Sequence, residues 1–163
     1  MCGIVGSVNV QWNNDPLTSL SHRGPDSTGF YKLNDVYLGH TRLSIQDLSE
    51  AGNQPMITDN GRFVLVFNGE IYNHWEIRKI LISKGHSFVS SSDSETLIKS
   101  WSEWGVDSIK YFNGIYAFAI FDKHEHKLYL IRDRIGEKPL YYGYNNNSFF
   151  FGSELKVFKE NKY

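Results

Sequence analysis

Cys2 directly follows the initiator Met1 and precedes the small run Gly3-Ile4-Val5-Gly6. A starting methionine is commonly trimmed when the next side chain is small, and Cys2 then becomes the amino-terminal residue. A terminal cysteine carries its own base, because an α-amine titrates at roughly pH 7.7–8.0 in peptides. That amine can take the thiol proton directly or through a water, and no histidine partner is needed. Position alone fits equally well with a small, inert residue at the head of a strand. Arg42 sits inside the otherwise half-apolar strand His40-Thr41-Arg42-Leu43-Ser44-Ile45. It is either a solvated face residue or a fork for a carboxylate. Asn68-Gly69-Glu70 follows the apolar stretch Phe63–Phe67. Asn-Gly is the commonest tight-turn signal. The same pair offers a side-chain amide and an unobstructed backbone N–H as two donors to a developing oxyanion. Asp93 stands at a helix start, where it caps the helix or receives an ammonium group. His22-Arg23-Gly24-Pro25-Asp26 reads locally as a turn.

The elements that must position these residues are mostly strands. Gly3–Val10, Phe63–Phe67, Gly114–Phe121, Lys127–Ile131, Leu140–Tyr144 and Phe149–Phe151 are rich in aromatic and β-branched residues and bounded by turn signals. Asp122–Lys127 and Asn145–Ser148 are polar hairpin loops. Two helices interrupt the strands. One opens at Asn73 with Glu76 three residues on, the spacing of a capping box, and stops at Gly85. The other opens at Ser92 with Glu95 and stops at Gly105. Hairpin-joined strands with a few helices predict an α+β fold of mainly antiparallel sheet.

Length and composition narrow the function classes. At 163 residues the chain allows one domain with a real core. Its 17 Lys+Arg against 18 Asp+Glu leave no basic footprint for nucleic acid or an anionic membrane. The longest apolar run is far too short to span a bilayer. One cysteine rules out an internal disulfide and a multi-cysteine zinc site, and points to a reducing, cytoplasmic setting. His124 and His126 flank Glu125 in a loop facing solvent, so no metal and no cofactor is assigned.

Ten segments taken in order carry a family resemblance: Cys2–Gly6, His22–Asp26, Gly39–Ile45, Gly52–Met56, Phe67–Asn73, Ser92–Glu95, Phe112–Ala119, Arg132-Asp133, Gly136–Tyr142 and Phe151–Lys156. Together they resemble the class II, N-terminal-nucleophile glutamine amidotransferase domain found at the front of glutamine-dependent asparagine synthetases. The resemblance implies a four-layer αββα sandwich with the active site at one end of two facing antiparallel sheets. It implies Cys2 as nucleophile with its freed amine as base, and Asn68 and Gly69 as the oxyanion hole. Arg42, Ile45, Asn68, Glu70 and Asp93 become the substrate set, with Arg42 on the α-carboxylate of L-glutamine and Glu70 and Asp93 on its α-ammonium. The thiolate attacks the side-chain amide, a thioester forms, ammonia leaves and water releases glutamate.

Two features depart from the family pattern. No Ser-Gly-Gly-x-Asp-Ser pyrophosphate loop occurs before Tyr163, so residues 1–163 are expected to form a glutaminase domain without an ATP-binding synthetase domain. A separate ATP-dependent synthetase subunit is then the expected ammonia acceptor. The segment Gln11–Ser21 allows at most two helical turns, which predicts a shortened first helix and a thinner outer layer. Activity requires loss of Met1, since an amide nitrogen on Cys2 is no base. The competing readings are a non-catalytic glutamine-binding or regulatory module, and another N-terminal-nucleophile amide hydrolase.

Overall fold

The computed structural model describes residues 1–160. Among these residues nine strands form two antiparallel sheets. One has five strands: β1 (Gly3–Val8), β2 (Ser27–Leu33), β3 (Val36–Arg42), β8 (Tyr141–Asn145) and β9 (Ser148–Gly152), in the spatial order β2-β3-β1-β9-β8. The other orders β4 (Met56–Ile57), β5 (Phe63–Ile71), β6 (Gly114–Asp122) and β7 (Lys127–Arg132) in sequence. Successive side chains on a strand point to opposite faces, and that alternation divides the core. Ile4, Leu38, Val64, Val66, Ala117, Ala119, Phe121 and Phe151 meet between the sheets. Phe63, Leu65, Phe67, Phe118 and Ile120 face outward, against the helices α1 (His74–Ser83) and α2 (Asp93–Trp104) through Ile77, Leu81, Leu97, Ile98 and Trp101.

The other outer layer is thin, as expected. The first helix is a 3-10 helix of six residues, Thr18–Arg23, and a second 3-10 helix, Leu155–Glu160, lies on the same side. Leu17, Leu20 and Val157 pack on Val5 there. Phe30 remains 67% exposed, stacked on Tyr37. Among the described residues no helix is long and apolar enough to cross a membrane.

Three local readings change. Asn68-Gly69 is not a turn. β5 runs on to Ile71, with Asn68 opposite Ala117 and Gly69 opposite Tyr116, because β6 supplies a nine-residue partner that outweighs the local turn preference. Asn73 caps no N–H of α1. Its amide instead donates to Tyr111 O and accepts from Asn113 N, two bonds in place of one. At α2 only half of the box forms: Ser92 Oγ accepts from Glu95 N, while the Glu95 carboxylate accepts from Val89 N, Ser90 N and Ser90 Oγ. Strands β2 and β4 lie outside the sequence-based assignments.

Phe151 is fully buried between the sheets. Phe151→Ala is expected to cost about 3–5 kcal/mol of stability, measured as a lower urea midpoint with an unchanged m-value.

Candidate active site

Strand register brings distant residues to one end of the sandwich. Gly3 pairs with Thr41, so one step further on Cys2 stands opposite Arg42. Both continue the inward-facing alternation of Ile4 and of Leu38 and His40. On β5 the same alternation runs Val64, Val66, Asn68, Glu70. The apolar inter-sheet core therefore ends in polar side chains contributed by three strands. Cys2, Arg42, Ile45, Asn68, Gly69, Glu70 and Asp93 all line a single cleft of about 120 Å³. Met1 and Lys138 stand in its lining as well, and Lys138 Nζ donates to Met1 Sδ at 3.2 Å.

The Cys2 thiol is held by backbone. Leu43 N donates to Sγ at 3.4 Å, and Sγ lies 3.7 Å from Leu43 O. Burial pushes the thiol pKa up, against the Leu43 hydrogen bond and the positive charges of the amino terminus and Arg42. A thiol so raised is neutral at rest and needs a base to become a nucleophile. Arg23 Nε donates to the Cys2 carbonyl at 2.9 Å while its Nη1 pairs with Glu154 at 2.9 Å. The turn that carries Arg23 rests on the Arg42 strand: Asp26 N donates to Arg42 O, and a side chain at Gly24 would strike the Thr41–Arg42 peptide. The His22–Asp26 turn is thus structural, and its job is to seat the two strands that bear the site.

Arg42 is 7% exposed. Three of its five N–H groups go to Ser49 O at 2.8 Å, Asn53 Oδ1 at 2.9 Å and Asp47 O. The other two have no partner among the described residues, which leaves a donor edge for a ligand carboxylate. Asp47 accepts from Ser91 N and Oγ and from Ser49 N and Oγ, and these bonds hold its carboxyl well below the usual range. Asp47 therefore ties the loop around Arg42 to the segment leading into α2. Asp93, the first residue of α2, is 6% exposed, and one carboxylate oxygen accepts from Ile71 N at 2.9 Å. Burial pushes its pKa up to about 6, against that bond, with the nearby charge of Glu70 adding to the rise. Glu70 itself is open to solvent and accepts from Gln46 Nε2 at 3.1 Å.

Asn68 is 1% exposed, and its Nδ2 is a buried donor with no partner among the described residues. A buried unpaired amide costs about 1–3 kcal/mol, a cost that a ligand oxygen would relieve. Gly69 has no room for a Cβ, which would meet Ile115 O and the Tyr116 backbone. Gln46, Asp47, Gln54 and Ser94 join the lining without having been assigned roles from sequence. Their signal lay in two of the quoted segments and next to the assigned residues, but no residue type among them demands chemistry.

A family model for the glutamine amidotransferase domain matches residues 1–163. The chain belongs to this family. An asparagine synthetase (glutamine-hydrolyzing) of Bacillus subtilis is 41% identical over 96% of this chain and 27% of its own length. A putative asparagine synthetase of Methanocaldococcus jannaschii is 37% identical over 96% of this chain and 34% of its own length. The chain thus spans about a quarter to a third of these relatives. Among solved structures, the glutamine phosphoribosylpyrophosphate amidotransferase of B. subtilis superposes with a TM-score of 0.80 at 23% identity, covering 97% of this chain and 43% of that one. That likeness confirms the two-sheet sandwich as the amidotransferase fold.

The raised Asp93 pKa has a definite sign. The folded state holds this proton more tightly than the unfolded chain, so the associated stability is fully present below the unfolded pKa and is lost as pH rises through about 6. NMR titration of the unliganded Asp93 carboxyl is expected to give a midpoint near 6, and Glu70→Gln is expected to lower it.

Proposed function

We propose that this domain hydrolyses L-glutamine to L-glutamate and ammonia through a thioester on Cys2, once Met1 has been removed. The observation that supports this most is the buried Asn68 Nδ2, unpartnered among the described residues, in the cleft that also holds the thiol, a guanidinium with two N–H groups uncommitted among those residues, and two carboxylates. One cation and two anions complement a zwitterionic amino acid. Arg42 takes the α-carboxylate, Asp93 and Glu70 take the α-ammonium, and Ile45 lies along the aliphatic part. The neutral side-chain amide is then left facing the thiol.

Loss of Met1 turns the amide nitrogen of Cys2 into a free amine, which takes the thiol proton. The thiolate attacks the amide carbon, and the oxyanion accepts from Asn68 Nδ2 and Gly69 N. The proton on the amine passes to the leaving nitrogen, the C–N bond breaks and ammonia departs. Water then attacks the thioester by the same route and frees glutamate. Relatives named as asparagine synthetases suggest that the ammonia passes to a synthetase.

Glutamate release, measured on protein whose intact mass shows Met1 absent, tests the reading. Cys2→Ala is expected to abolish release, and Asn68→Ala to slow it roughly 10²–10³-fold. Tight glutamine binding without release from the processed chain would support the binding-module reading instead. Release that Cys2→Ala leaves unchanged would contradict any Cys2 mechanism.

A further inference from the structure

Phe67 is the residue immediately before Asn68, and its backbone is held in an unusual way. β4 covers β5 only at Leu65 and Val64, opposite Met56 and Ile57. Continuing that register sets Gln54 opposite Phe67, but Pro55 has no N–H to offer the ladder. Side chains take over. Gln54 Oε1 accepts from Phe67 N at 2.6 Å, and from the facing sheet His40 Nε2 meets Phe67 O at 3.2 Å. The other end of the Gln54 amide donates to Ser94 Oγ at 3.1 Å, next to Asp93. All of these groups are buried: His40 is 1% exposed and Gln54 8%.

A carbonyl partner fixes the tautomer of His40, because only an Nε2–H can donate to Phe67 O. Nδ1 is then a bare acceptor, and it has no partner among the described residues. Burial lowers the His40 pKa to about 3, with the charge of Arg42 adding to the fall, so the ring is neutral and does no acid–base work near neutral pH. His40 does not line the cleft, and both ends of the Gln54 amide are committed.

We propose that His40 and Gln54 are positioning residues for the oxyanion site: together they clamp both backbone groups of Phe67 and so fix the peptide that presents Asn68 to Cys2. His40 ties that peptide to the sheet bearing Cys2 and Arg42. Gln54 ties it to the helix start bearing Asp93. The nucleophile, the oxyanion donor and the ammonium site are thereby held in one frame. Oriented donors stabilise a developing charge only when aimed at it in advance, so a small displacement of Asn68 affects the transition state more than the bound substrate. The inference rests on the glutaminase reading.

The test is a double-mutant cycle on glutamate release, with thermal midpoints measured on every variant. His40→Leu and Gln54→Met remove the two bonds, and His40→Gln restores an N–H donor. Each of the first two is expected to lower kcat about 10-fold, less than loss of the donor itself, with KM for glutamine changing less than about 2-fold. His40→Gln is expected to recover most of the loss. In an Asn68→Ala background, His40→Leu and Gln54→Met are expected to change kcat by less than about 2-fold, because they act through Asn68. Losses that multiply with Asn68→Ala, or an unaltered kcat in the folded single variants, would overturn the inference while leaving the glutaminase reading intact. If His40→Leu does not fold, the Gln54→Met cycle and the kcat of His40→Gln decide the matter. An inactive, Met1-free wild type would overturn the glutaminase reading, and this inference with it.

Discussion

The pairing of β1 with β3, in the register that sets Gly3 against Thr41, is the constraint on which the site depends. A strand has a period of two, so a slip of one residue in β1 would turn Cys2 to the outer face and away from Arg42. The register is secured by the burial of Ile4 and Leu38 between the sheets and of Val5 beneath the thin outer layer. The facing sheet obeys the same arithmetic: Val64 and Val66 enter the shared core, and Asn68 and Glu70 follow them out of it. Apolar packing in the middle of the sandwich therefore dictates which polar side chains meet at its end.

The price of that arrangement is visible in the cleft. Burial raises the pKa of both the Cys2 thiol and Asp93, and Asn68 Nδ2 has no partner among the described residues. Asp93 and Asn68 are destabilised in a way that a zwitterionic amide ligand would relieve, with its ammonium beside Asp93 and its oxygen beside Asn68. Arg42 has the opposite character: most of its donors are spent on the loop from Asp47 to Asn53. It fixes that loop and offers only its remaining edge. Local instability at a site, set within a rigid surround, is the pattern expected where binding and chemistry are concentrated.

Much of this was legible in the sequence because the relevant signals were local. Asn73 and Ser92 marked helix starts, Gly85 and Gly105 marked their ends, and the aromatic runs marked six of the nine strands. Gln11–Ser21 was too short for a long helix, and a 3-10 turn stands there. What failed was information held by partners. Asn68-Gly69 has the composition of a turn and becomes strand because β6 pairs with it throughout. Asn73 looks like a cap and bridges to Tyr111 and Asn113 instead. The roles of Asp47, Gln54 and His40 depend on contacts with residues 91, 94 and 67, separations that no local pattern encodes. The seven residues assigned from sequence do share one cleft, as the family resemblance implied.

The most direct measurement of the central claim is acid-quenched mass spectrometry of the Met1-free protein mixed with glutamine. The expected result is a glutamyl adduct that maps to Cys2 and disappears as turnover proceeds, with none on protein that retains Met1. An adduct on another residue, or glutamate release with no adduct on Cys2, would contradict it.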